Sequence, residues 1–507
     1  MNSIQIKNLR SLRDTGEIQM KKLNVLVGSN SSGKSTFLRI FPLLKQSFNK
    51  RINGPVLWCG DDDDYVDFGS FQEALNYHAD DKNNSIRIVF DFFADFRFNT
   101  ITRGTVFREK MSGDIQIEFA ISHCPKTTYD YVSELTLNYE NYLLTAEISD
   151  KHQITSLRLN NEKIALTKQS EDFYDYEYDE GIFNISFLSV SQTAKKNIKE
   201  ILDLGEEYHK IFSNSYIPFL ADAINNHKHS RKPVDNAIYE KVAYEKEHHP
   251  DKITELKKWL YLCNLPKFFE LISEYLINYF VNVYYIAPVR ATAERYYKLR
   301  NLAVDEVDCR GKNLPIFLNS LRDSSFFSFQ AWTLEHLGFK VYTSVSEGHV
   351  SLKIQKEGQV TAVNLSDTGF GYSQILPIVT QLWYIAAGIN EKRSIRARNA
   401  IRNIPKTIVI EQPELHLHPA LQAKLMDIIV KIAAEGNIHF IIETHSETMI
   451  NRIGALIEKQ KIKNEDVGII IFNKQFDDDE TRISKSSFDE EGYLENWPIG
   501  FFEPEEE

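Results

Sequence analysis

Cysteine is scarce in this chain: Cys59, Cys124, Cys263 and Cys309 are the only four among 507 residues, far apart and without a CxxC pair. That spacing excludes a zinc ribbon and a disulfide framework and suits a reducing compartment, so a cytoplasmic protein is expected. Long apolar runs are also missing. No stretch approaches the roughly 20 apolar residues that span a bilayer. The opening MNSIQIKNLRSLRD carries charge where a signal peptide has its apolar core, so no membrane partner is expected. Basic charge is in deficit, with 59 Lys and Arg against 71 Asp and Glu, a net charge of −12 and a pI near 5.7. That argues against a wholesale polyanion binder and leaves room for a local basic face.

What the chain does have is length and apolar content. With 42% hydrophobic and 12% aromatic residues over 507 positions, two or more packed units are expected. The first forty residues read strand (SIQIKNL), turn, strand (KKLNVLV), Gly-rich loop and helix. From about 85 to 190, short alternating segments such as SIRIVFDFF and DIQIEFAIS suggest an antiparallel meander. Apolar spacing across 194–283 predicts helices. Short strands follow near 340–365, then a helix from about 372, the strand TIVIE, a helix from Pro419 and the strand IHFII. The acidic runs Asp61–Asp64, 171–180 and FDDDE read as solvated loops.

GSNSSGKS (Gly28–Ser35) fits the phosphate-binding pattern GxxxxGK[ST] between an apolar strand and a helix. The glycines let successive N–H groups face an anion, and the helix N-terminus adds partial positive charge. Gly28, Asn30, Ser32, Gly33, Lys34, Ser35 and Thr36 are therefore the nucleotide-binding candidates, with Lys34 for the β/γ-phosphates and Ser35 for Mg²⁺. Further on, LSDTGFGYSQILPI (365–378) sets Gly369, Gly371, Ser373 and Gln374 ahead of a helix, a second loop suited to a γ-phosphate. IVIEQPELHLHP (408–419) and IHFIIETHS (438–446) follow, the latter placing His445 just past a strand.

In this order the four motifs resemble the ABC-type ATPases of the SMC, RecF and OLD group. IAPVRATAERYY (286–297) and EGYLENWPIGFF (491–502) resemble small bacterial members, such as the ATPase subunit (PtuA) of Septu and related retron anti-phage systems. The resemblance implies an α/β P-loop head: a mixed sheet with flanking helices plus an antiparallel β lobe, interrupted by a β-then-helical insertion. The expected parts are an N-terminal lobe (1–120), the insertion (121–284), a C-terminal lobe (285–475) and an acidic tail (476–507). It implies ATP and Mg²⁺ as cofactors, with Ser35, Glu411 and Gln72 at the metal. Glu411, Gln412 and His445 would be catalytic. Gly369, Gly371 and Ser373 would act across a homodimer with two sandwiched ATPs.

Gln412 departs from the group, which has a water-polarising glutamate there. An amide orients water but accepts no proton at neutral pH, so slow turnover is expected; Glu414 and Glu443 are the nearest other carboxylates. His416 and His418 stand two apart with no nearby Cys, a poor zinc pair. Arg290 and Arg295 read equally as surface or functional residues. The cluster Lys392, Arg393, Arg396, Arg398 and Arg402 would meet nucleic acid phosphates or an acidic partner, or is a solvated helix face. Only 62 residues follow His445, which points to a separate nuclease partner controlled by an ATPase sensor. The alternative is a RecF-type repair ATPase that grips DNA itself.

Overall fold

A computed structural model describes residues 1–79, 84–102, 105–126, 129–166, 185, 187–202, 220–221, 223–224, 233–299, 304, 306–388, 404–474 and 481–498. Lys392, Arg393, Arg396, Arg398 and Arg402, the acidic stretches 171–180 and 476–480, and residues 499–507 lie outside the described residues.

Five parallel strands form the heart of a seven-stranded mixed sheet. Along the sheet they run β11 (Val283–Ile286), β16 (Lys406–Glu411), β17 (Ile438–Glu443), β4 (Leu23–Gly28) and β18 (Val467–Lys474), with antiparallel β19 (Thr481–Phe488) and β20 (Leu494–Glu495) at the edge. Sequences such as LNVLVG, TIVIE and HFIIE are mostly apolar on both alternating sets of positions because both faces are covered. Side chains alternate along each strand, so each strand feeds two cores. Leu26, Val409, Ile441 and Ile470 face a core shared with helices α1 (Lys34–Asn49) and α5 (Pro250–Val281). Val25, Val27, Ile408, Ile410 and Ile442 face a second core with α8 (Phe370–Ala386), α9 (Pro419–Glu435) and α10 (Glu447–Glu458).

Beyond the first core lies a nine-stranded antiparallel sheet made from residues 3–163. Its hairpin of β5 (Ile86–Thr102) and β6 (Thr105–His123) packs aromatics on α5, with Phe92 stacked on Tyr275 at 4.4 Å and Phe90 against Phe280 at 5.4 Å. The boundary expected at residue 120 falls inside β6, and the first strand, Ser3–Leu9, pairs with β5. The meander thus continues the N-terminal lobe as one sheet. A four-stranded antiparallel sheet, drawn from Tyr297–Asn364, completes the C-terminal lobe. The α/β head with mixed sheet, flanking helices and antiparallel lobe matches the expected class.

Candidate functional site

Gly28, Glu411 and Glu443 end three of the parallel strands, so the loop and both carboxylates share the carboxyl edge of the sheet, where α/β proteins bind ligands. Backbone geometry builds the loop. Gly28 has φ 148°, and a β-carbon there would collide with the carbonyl of Phe472. Gly33, at φ 91°, caps α1, and a β-carbon on it would press on Leu12 and Ser11. Asn30 is exposed, Thr36 half-buried, and the hydroxyl of Ser32 is buried without a partner. Lys34 is 3% exposed and donates to the carbonyls of Gly28 (2.9 Å) and Ser29 (2.6 Å). Burial lowers its pKa, opposed by the charges of Glu443 and Glu414.

The carboxylate beside Ser35 is Glu443. Ser35 Oγ lies 2.7 and 3.0 Å from its two oxygens, and burial holds this carboxyl above the usual range despite the Ser35 bond. Glu411, expected in that place, is engaged elsewhere. Arg39 grips it in a fork, Nε to Oε1 at 2.6 Å and Nη2 to Oε2 at 2.8 Å, and Tyr285 OH donates to it at 3.0 Å. The reason is strand order. β17 lies between β16 and β4, with Glu443 opposite Leu26 on one side and Glu411 on the other. Glu411 is thus two strand spacings, about 10 Å, from the loop strand. Ser35 and Arg39 stand four apart on one face of α1 and take the two acids in turn.

Gln412 sits in a left-handed backbone (φ 41°) whose N–H donates to Glu443 O at 2.8 Å and whose carbonyl accepts from Arg290 Nη2 at 3.3 Å. Glu414 Oε1 accepts the N–H of His445 at 2.7 Å, while its Oε2 is buried without a partner. Burial raises the Glu414 pKa. Burial and the neighbouring Lys34 lower that of His445, which keeps its ring neutral at physiological pH.

The second loop differs from expectation. Ser373 and Gln374 are buried: the Ser373 hydroxyl donates to Phe370 O at 2.7 Å, and Gln374 lies against Arg290. Gly369, at φ 71°, is exposed, Gly371 is half-buried, and Phe370 presents its ring, 45% exposed, edge-on to His416 at 4.7 Å. Gln72 is exposed on the one-turn helix Phe71–Ala74, capped by Ser70 and Glu73. The Arg10 N–H holds that turn by donating to Ala74 O at 2.8 Å, while its side-chain charge is repelled by that of Arg39. His418 caps α9 by accepting the Ala420 N–H at 3.2 Å. The two arginines of the 286–297 stretch part company, Arg295 in an exposed pair with Asp367 and Arg290 only 2% exposed. Sequence reasoning passed over Arg39 and Tyr285. Four-residue spacing from Ser35 was the available signal for Arg39; Tyr285 had none.

The donor set fits Mg²⁺–nucleotide. A buried lysine, a free buried hydroxyl and a helix N-terminus suit phosphate, and a hydroxyl with a carboxylate gives the all-oxygen set that Mg²⁺ takes. Residues 1–450 match the family model described as AAA ATPase domain. No curated protein matches the chain. Among solved structures, the Smc head domain with an extended coiled coil, bound to the C-terminal domain of ScpA, from Pyrococcus furiosus aligns at 11% identity and TM-score 0.33 over 96% of each chain. The SMC head domain from Thermotoga maritima aligns at 10% identity and TM-score 0.33, over 95% of this chain and 97% of that one. The Smc head domain with a coiled coil and joint from Pyrococcus yayanosii gives 10% identity and TM-score 0.35 over 97% of each.

Proposed function

The chain belongs to the AAA ATPase domain family, and we propose that it is a slow, Mg²⁺-dependent ATPase that dimerises around ATP and thereby regulates a separate nuclease in anti-phage defence. The observation that carries the ATP site is the contact between Ser35 and Glu443 beside the buried Lys34. Ser35 and Glu443 would hold Mg²⁺, which when bound neutralises charge on the phosphate oxygens. Lys34 turns from its loop carbonyls to the phosphates. Glu414 holds the His445 backbone at the rim of the site.

Slow turnover follows from the acids. Glu411 is neutralised by Arg39, Glu443 is committed to Ser35, and position 412 carries an amide. A general base typically contributes about 10²–10⁴-fold, and Gln412 can orient water without supplying that factor. Dimerisation is supported by the exposed rim at the start of α8, where Phe370 is 45% and Val289 75% exposed. The nuclease and the defence role rest on the resemblance of the motif series.

Lys34→Ala is the test of the site. It should abolish binding of a fluorescent ATP analogue, and unchanged binding overturns the assignment. For the regulatory role, a nuclease encoded alongside should co-purify with the protein in an ATP-dependent manner; co-purification indifferent to ATP overturns it.

A further inference from the structure

Arg290 is held in a way that a structural arginine is not. It lies in the loop after β11, 2% exposed, while its neighbour Val289 is 75% exposed. Its bonds are long: Nη2 to Gln412 O at 3.3 Å and Nε to Gln374 Oε1 at 3.5 Å, with Gln374 Nε2 returning to Arg290 O at 3.4 Å. Nη1 is buried with no partner. A buried guanidinium left so loosely bonded is costly, and the cost is recovered only when an anion meets it.

Among the described residues, none supplies the anion it faces. Glu414 is the carboxylate whose field reaches Arg290, yet Glu414 Oε2 is itself buried and unpartnered, so the two groups do not bond. The field of Glu414 also reaches Lys34, and its other oxygen accepts from His445. Glu414 therefore lies in the field of both Lys34 and Arg290, with the His445 N–H bonded to it. An unpartnered buried donor on one side and the Glu414 carboxylate on the other suit an anionic oxygen accompanied by water, the chemistry of a terminal phosphate awaiting hydrolysis.

We propose that Arg290 binds the γ-phosphate of ATP within its own subunit and, through its reciprocal contact with Gln374, transmits the presence of that phosphate to α8. This rests on the ATP-site reading above. ADP leaves Nη1 unpaired. ATP draws the guanidinium forward and alters its hold on Gln374, four residues into the helix that starts at the exposed Phe370. The state of the nucleotide thus reaches the surface through two side chains.

The test compares equilibrium binding of ADP and of a non-hydrolysable ATP analogue, with Mg²⁺, to wild type, Arg290→Gln, Arg290→Lys and Lys34→Ala. A hydrogen bond to a charged group is worth roughly 10- to 100-fold in affinity. Arg290→Gln should weaken the triphosphate analogue by roughly that factor and leave ADP within about twofold, with Arg290→Lys between. Deuterium uptake by residues 370–386 should fall when the analogue saturates wild type and stay unchanged in saturated Arg290→Gln. An unchanged ratio of the two affinities in both Arg290 variants, with Lys34→Ala binding neither nucleotide, overturns the role of Arg290 alone. Equal weakening of both nucleotides, or failure of both Arg290 variants to fold, makes Arg290 a structural strut and also overturns it. Wild type that binds neither nucleotide overturns the ATP site as well.

Discussion

Gln412 is fixed by its backbone while its side chain is the chemical variable. Its N–H and carbonyl are bonded to Glu443 and Arg290, so Gln412→Glu changes the amide to a carboxylate and leaves those contacts in place. ATP hydrolysis should rise by roughly tenfold or more in a phosphate-release assay. An equal or lower rate would assign the base to Glu414, whose carboxyl burial pushes upward. Glu443 and Glu411 should separate by the property each controls. Glu443→Gln should weaken Mg²⁺-dependent ATP binding roughly tenfold or more in a magnesium titration. Glu411→Ala should instead lower stability, because it strands Arg39 and Tyr285. Since the Arg39 side chain is 33% exposed and can regain water, the loss should be about 2–3 kcal/mol by denaturant unfolding, below that of a fully buried pair. Lys34 and Ser35 were legible because their motif is local. The identity of the second acid was not, because it depends on β17 inserting between two strands remote in sequence.

At the scale of elements, the strands, the helices and their class were readable from periodicity, since short, predominantly apolar runs such as TIVIE and HFIIE suit a sheet covered on both faces. Sheet membership was not: nothing local tells that Ser3–Leu9 pairs with Ile86–Thr102 in the antiparallel sheet while Leu23–Gly28 joins the parallel one. Nor does the spacing of Gly369 to Gln374 reveal that Ser373 and Gln374 turn inward. β17 also carries a pH response. His439 is pushed down to about 4, first by burial and then by the N-terminal ammonium and Lys22. The unfolded chain takes up a proton near pH 6.5 that the folded strand refuses. Stability should therefore be intact above pH 6.5 and decline as pH falls towards 4. His439→Gln should flatten part of that decline in thermal melts; an identical slope would place the acid sensitivity elsewhere.

At the scale of the whole molecule, the proposed dimer closure places its contact at the rim where Phe370 and Val289 are exposed. Phe370→Glu should leave ATP binding by the monomer within about twofold and reduce the ATP-dependent dimer seen by light scattering, since a charge pair of like sign opposes closure across a symmetric interface. A dimer of undiminished affinity would move the interface off this rim. The pairing of β4 with β18 has a further consequence, for the birth of the protein. Lys21 Nζ bonds the carbonyl of Val467, 446 positions away, and Gly28 packs against Phe472. At 5–20 residues per second, roughly 20–90 s of translation separate these partners. Throughout that interval the phosphate loop lacks the strand that flanks it in the folded sheet, so the loop takes its final shape long after it has been made.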